Sequence, residues 1–157
     1  MTLAMTSAYL DWNATTPLRP AAREAMAAAM DLSVASPLNP SSVHATGREA
    51  KKRLERARRS VADGLGCAAA DIVFTSGATE ANSLALLGHP WSRVLVSAVE
   101  HDSVLAQRAD AELIPVDGTG VVDLGALAKL LADTPSPTLV SVMAVNNETG
   151  VIQPLSD

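Results

Sequence analysis

The sequence is poor in cysteine, aromatic residues and lysine, and each shortage excludes something. Cys67 is the one cysteine among 157 residues, so no disulfide can form within the chain and a reducing compartment is allowed. Aromatic residues make up 3% and hydrophobic residues 48%, so a core must be aliphatic, built from Leu, Val, Ile, Met and Ala. No apolar run approaches the length needed to cross a bilayer. The opening MTLAMTSAYLDWN has neither a basic start nor a long apolar stretch, so it does not read as a secretory signal. The expectation is a soluble cytoplasmic protein. Basic residues number 12 against 17 acidic ones, and the net charge of -5 gives no general reason to expect a nucleic-acid partner. His44, His89, His101 and Cys67 show no metal-ligand spacing. No G-x-x-x-x-G-K-[ST] motif is present, which excludes a nucleotide P-loop.

The positive signals begin with one amphipathic helix. Between Arg48 and Arg59 lie seven of the 12 basic residues. Ala50, Leu54, Ala57, Val61 and Leu65 recur there at steps of three and four, which predicts a helix from about Val43 to Leu65 with a basic face. That face reads as a solvated surface or as a docking surface. Gly66 suits the position just past the helix end, where a left-handed backbone is needed. Upstream, Tyr9–Asn13 reads as extended, Pro20–Met30 as a helix, and Ser33–Ser42 as a loop.

From Ile72 onward strands and helices alternate. Strands are predicted at Ile72–Thr75, Val94–Ala98, Glu112–Val116 and Thr138–Val145. Helices are predicted at Thr79–Leu87, near Ser103–Asp110, and from an Asp123 cap to Leu131. The last strand is apolar on both alternating faces, as expected where helices cover a parallel sheet on both sides. The implied fold class is α/β, with a largely parallel sheet flanked by helices. Gly118–Asp123 half resembles a dinucleotide fingerprint but lacks its third glycine, and reads as a turn.

Ligands of open α/β sheets gather beyond the carboxyl ends of the strands. Three polar clusters fall at such predicted ends. In Ser76-Gly77-Ala78-Thr79 the small residues, the helix start and the Thr79 hydroxyl suit a phosphate, and equally suit an ordinary helix cap. In Glu100-His101-Asp102, His101 reads as a base, a ligand, a flat ring packed on something flat, or a plain surface histidine. In Asn146-Asn147-Glu148 the paired amides suit a turn or a polar ligand edge. Cys67 reads as a buried or passive thiol.

Five segments, in order, resemble the N-terminal part of a cysteine desulfurase, within the class V aminotransferase-like enzymes. They are YLDWNATTP (9–17), NPSSVH (39–44), VFTSGATEANSLAL (73–86), VEHDSVL (99–105) and VNNETGVIQP (145–154). The resemblance implies pyridoxal 5′-phosphate as cofactor on the large domain of a fold-type I transferase. It implies that Ala78 and Thr79 help hold the phosphate. It also implies that His101 stacks on the pyridine ring as a candidate proton relay, and that Asn147 bonds the ring hydroxyl oxygen. Residues 1–16 would be an arm bordering the substrate pocket, and 17–157 an incomplete cofactor-binding domain.

The implied reaction removes sulfur from L-cysteine, leaving alanine and an enzyme persulfide for iron–sulfur cluster or thio-cofactor assembly. A homodimer and a sulfur-acceptor protein are implied partners. The chain departs from the family pattern in one large respect. Its three lysines, Lys51, Lys52 and Lys129, all fall on predicted helix faces, so none suits a Schiff base. The pyridine-pairing aspartate, the sulfur-accepting cysteine and the substrate arginine are also unmatched. The chain therefore reads as truncated and, alone, inactive. The competing readings are a selenocysteine lyase or aminotransferase of the same class, a non-catalytic partner- or anion-binding protein, and a Rossmann-like nucleotide binder.

Overall fold

The computed structural model describes residues 8–35, 38–132 and 137–156. The chain forms two compact units, one ending at Phe74 and the other beginning at Thr75. Each is taken in turn.

Among the described residues the first unit holds two α-helices and a short 3-10 helix, Ala69–Asp71. Residues 8–16 form no extended strand. The Tyr9 hydroxyl instead donates to the carbonyl oxygens of Asp11 and Thr15, at 2.7 and 3.1 Å, closing a turn where Tyr9–Asn13 had suggested extension. Helix α1 (Pro20–Ala35) runs past the expected end at Met30 into the predicted loop. Ser36 and Pro37 of that loop lie outside the described residues. Helix α2 (Ala45–Leu65) matches the amphipathic pattern. The His44 ring caps its start by accepting from the Gly47 N–H. Gly66, at φ 69°, closes its end, and the Gly66 and Cys67 N–H groups fold back to the carbonyls of Asp63 and Ala62.

Gly47 is required by close approach: a Cβ there would lie 2.4 Å from the Ser42 carbonyl oxygen. Arg58 is not a solvated charge. Its guanidinium donates to the Ile72 carbonyl and lies 4.9 Å over the Phe74 ring. The predicted strand Ile72–Thr75 is absent, and Val73 is 71% exposed. The apolar, β-branched run has the right pattern, but a strand needs a ladder partner, and none pairs with it among the described residues. Cys67 is exposed rather than buried.

The second unit is a three-stranded parallel sheet with helices. Its elements are α3 (Ala78–Leu87), β1 (Arg93–Ser97), α4 (Asp102–Leu105), β2 (Glu112–Ile114), α5 (Leu124–Ala132) and β3 (Thr138–Ser141). The sheet order is β2-β1-β3. Leu95 sits opposite Glu112 on one side and opposite Val140 on the other. The central strand explains the apolar pattern. Val94 and Val96 pack with Leu86 and Val104 on one face. Leu95 packs with Ile114 and Val122 on the other. Each such aliphatic side chain contributes about 1.5–3 kcal/mol by leaving water.

β3 is shorter than its apolar run and only half-buried, so the expectation of cover on both faces is not met among the described residues. α4 is likewise shorter than predicted. The Arg108 guanidinium reaches Asp110 at 2.9 Å, a two-residue pairing made on a turn. The Asp123 side chain caps α5 through the Ala126 N–H, as expected. Gly118–Asp123 is a turn ordered by Asp117, whose Oδ1 accepts from Thr119 and Val121, and Gly120 takes φ 85°. Parallel strands and flanking helices agree with the α/β expectation. No helix among the described residues is long and apolar enough to cross a membrane.

Candidate functional site

β1 and β3 are parallel neighbours, so both chains leave the sheet at the same end. The β1 exit carries Ala98, Val99, Glu100 and His101. The β3 exit carries Asn146, Asn147, Glu148 and Thr149. These residues, with Asp102, line one cavity of about 380 Å³, within the range of small-molecule sites. The structure therefore brings the second and third polar clusters together.

Ser97 starts the β1 exit. It is fully buried, its Oγ accepts from the Val99 N–H, and its carbonyl accepts from the Glu100 N–H. The tight turn that results presents His101 as the N-cap of α4. The imidazole Nδ1 accepts from the Ser103 backbone N–H at 3.0 Å and lies 2.8 Å from the Ser103 hydroxyl. A backbone N–H can only donate, so the neutral ring carries its proton on Nε2. The ring itself is exposed.

Ser103 is also tied to the preceding helix. The Asn82 side-chain amide donates to the Ser103 hydroxyl oxygen at 2.8 Å, and the Ser83 hydroxyl donates to Gln107 at 2.6 Å. Asn82 lies one turn beyond Ala78 and Thr79, so α3 is connected to His101 through two side chains, those of Asn82 and Ser103.

Ala78 and Thr79 do not line the cavity with His101 and Asn147. They are exposed in the first turn of α3. Gly77, just before it, has nothing within 4 Å of the position a Cβ would take, so the helix start is open to approach. Ser76 is committed elsewhere: its hydroxyl and its N–H both donate to Glu80 at 2.6 Å. Those two bonds, the hydroxyl's first, hold the Glu80 carboxyl below its ordinary value.

In the β3 exit the two amides differ. Asn146 is half-buried and holds the loop together, accepting from Glu148 and Thr149 through Oδ1. Asn147 is exposed on the cavity. Gln153, 4% exposed, anchors the base of this loop: its side chain accepts from the Val122 N–H and donates to the Gly120 carbonyl, both at 2.9 Å.

Glu100 is a cavity residue that pattern reading passed over in favour of His101. Its Oε1 is buried with no hydrogen-bond partner. Burial raises the carboxyl above its ordinary value, opposed by a bond from the Met143 backbone. Its place in the Glu-His-Asp cluster was legible; its burial is a property of the folded chain. Lys51 and Lys52 lie on α2 and Lys129 on α5, all on helices as expected. Among the described residues no group of His, Cys, Asp or Glu could hold a metal ion.

Residues 8–157 match the family described as aminotransferase class-V. An IscS-like cysteine desulfurase of Mycobacterium tuberculosis (strain ATCC 25618 / H37Rv) is 38% identical over 96% of this chain and 42% of its own length. A cysteine desulfurase of Frankia sp. (strain EuIK1) is 44% identical over 92% of this chain and 38% of its own. Among solved structures, a NifS-like protein from Rickettsia africae superposes with a TM-score of 0.81 at 38% identity, covering 92% of this chain and 41% of that one. SspA in complex with cysteine superposes at 0.79 with 28% identity, covering 95% and 45%. The chain thus spans about two fifths of the length of the curated relatives it matches. The chain belongs to the class-V aminotransferase family.

Proposed function

We propose that this chain supplies the coenzyme-holding wall of a pyridoxal 5′-phosphate-dependent cysteine desulfurase. The observation that carries the reading is the shared cavity. A ring and an amide, His101 and Asn147, reach it from the exits of two adjacent parallel strands. The residues fit the coenzyme in kind. The open start of α3 at Ala78 and Thr79 offers backbone N–H groups and a hydroxyl to the phosphate, where the helix dipole favours an anion. His101 offers a flat ring to cover the pyridine, with its orientation fixed through Nδ1 by Ser103. Asn147 offers an amide to the ring hydroxyl oxygen. The coenzyme, when bound, supplies an electron sink.

What these residues do is hold and orient. His101 keeps Nε2–H outward because Nδ1 is occupied, which suits it to pass a proton at that atom. The cysteine desulfurase names of the relatives support L-cysteine as substrate, with alanine and a persulfide as products. The chain by itself is expected to be inactive, since its three lysines all lie on helices and not at a strand exit, and Cys67 does not match the family's sulfur-accepting position. Residues 1–16 as an arm bordering the substrate pocket, 17–157 as the incomplete cofactor-binding domain, a homodimer, a sulfur-acceptor partner, a role in iron–sulfur or thio-cofactor assembly, and a cytoplasmic site all belong to this reading.

The test is a titration of the chain with pyridoxal 5′-phosphate, followed by NMR of the His101 ring and of the Ala78 and Thr79 amides. Saturable binding that shifts all three is expected, weakened about tenfold or more in a Thr79→Ala/His101→Ala double variant, since each lost contact is worth about 1 kcal/mol. Inorganic phosphate should shift only the two amides. A double variant that holds the coenzyme as the parent does would sink the reading.

A further inference from the structure

We infer that Asn146 is a positioning residue that couples the two strand exits, setting the distance between the His101 and Asn147 segments. The inference rests on the coenzyme reading above, because that reading gives the spacing its purpose.

The Asn146 side chain works in two directions. Its Oδ1 accepts from the Glu148 N–H at 2.9 Å, the Thr149 N–H at 2.8 Å and the Thr149 hydroxyl at 3.1 Å. These bonds fold the loop on itself, with Asn147 at its bend. Its Nδ2 donates directly to the Val99 carbonyl at 3.0 Å, 47 residues away in sequence and two residues before His101. The same nitrogen lies 3.3 Å from the Met143 sulfur. One planar amide thus shapes the loop and fixes it to the neighbouring strand exit. Both tasks need an amide, since acceptor and donor lie on the same group.

The loop has its own support at the base. The Asn146 N–H donates to Val151, Val145 bridges Ile152, and Gln153 is buried with its side-chain bonds satisfied. A change at Nδ2 alone should therefore leave the loop folded.

Aspartate separates the two tasks. Asn146→Asp keeps two oxygen acceptors for the loop and removes the donor to Val99. Asn146→Ala removes both. The experiment follows amide exchange and pyridoxal 5′-phosphate affinity in the parent and both variants. In Asn146→Asp the Glu148 and Thr149 amides should keep parental protection. The Val99 to His101 resonances should shift and coenzyme affinity should fall about tenfold, equivalent to about 1.4 kcal/mol. In Asn146→Ala, loop protection should fall as well. Rescue is expected in neither variant. Parental coenzyme affinity in Asn146→Asp overturns the inference, as does joint loss of loop protection and affinity in that variant, which would make the role local to the loop. If the parent binds no coenzyme, the coenzyme reading falls separately, and coupling is decided by the resonances: unmoved Val99 and His101 signals in Asn146→Asp overturn it.

Discussion

The Asn82 side-chain amide donates to the Ser103 hydroxyl oxygen at 2.8 Å, joining α3 to the residue that orients His101. Asn82 does not line the cavity, yet it determines how the Ser103 hydroxyl can point. With its oxygen taken by Asn82, the hydroxyl proton is free to turn to His101 Nδ1. Asn82→Ala should cost about 1 kcal/mol of stability, the usual worth of one such bond. The ring should stay protonated on Nε2, because the Ser103 N–H still donates to Nδ1. Thermal unfolding and imidazole nitrogen shifts test the two halves separately. A proton found on Nδ1 in the parent would refute the assignment.

Glu100 makes stability depend on pH in a defined direction. Burial raises its carboxyl above the ordinary value of 4.5. The fold thus favours the neutral acid. Its contribution is complete below that ordinary value and is lost as pH rises through the raised one. Urea midpoints should fall on the way up from 4.5, and Glu100→Gln should flatten that part of the curve. An unchanged slope in the variant counts against the assignment.

Glu80 acts with the opposite sign. The Ser76 hydroxyl and N–H lower its carboxyl below 4.5, so its contribution is present above that value and lost as pH falls through the lowered one. Ser76→Ala should move the Glu80 titration, read by carboxyl carbon shifts, back towards the ordinary value. A titration that stays put would show that the hydroxyl is not the cause.

Leu95→Ala should be the most damaging single change to the sheet. Leu95 is fully buried on the central strand and packs against Ile114 and Val122. The cost should be about 2–5 kcal/mol, transfer plus cavity. A loss under 1 kcal/mol, read from urea midpoints, would mean that the face collapses to fill the gap.

Gly47→Ala tests close approach in the first unit. A Cβ would sit 2.4 Å from the Ser42 carbonyl oxygen and 2.8 Å from that of Asn39. Backbone must move to admit it, at a cost of about 1–3 kcal/mol. Helical signal on melting reads the effect. An alanine variant as stable as the parent would show that the turn before α2 yields freely.

The sequence by itself determined, for much of the chain, which segments are helical and which extended, because both are written in local periods. The three- and four-residue steps of α2 and the continuous apolar runs of β1 and β3 need only a backbone to be read. It also placed the polar clusters holding His101 and Asn147 at predicted strand ends, while the roles of those two residues came from the family resemblance. Tertiary structure decided the rest. Ile72–Thr75 has a strand's pattern without a ladder partner, and pairing is a property of two segments. Asn146 and Asn147 are the same residue type in the same motif. Only the packing of one strand exit against the next turns the first inward to Val99 and leaves the second facing the cavity. Glu100 owes its raised carboxyl to burial, and burial belongs to the folded chain, since a linear pattern carries no distance between remote segments.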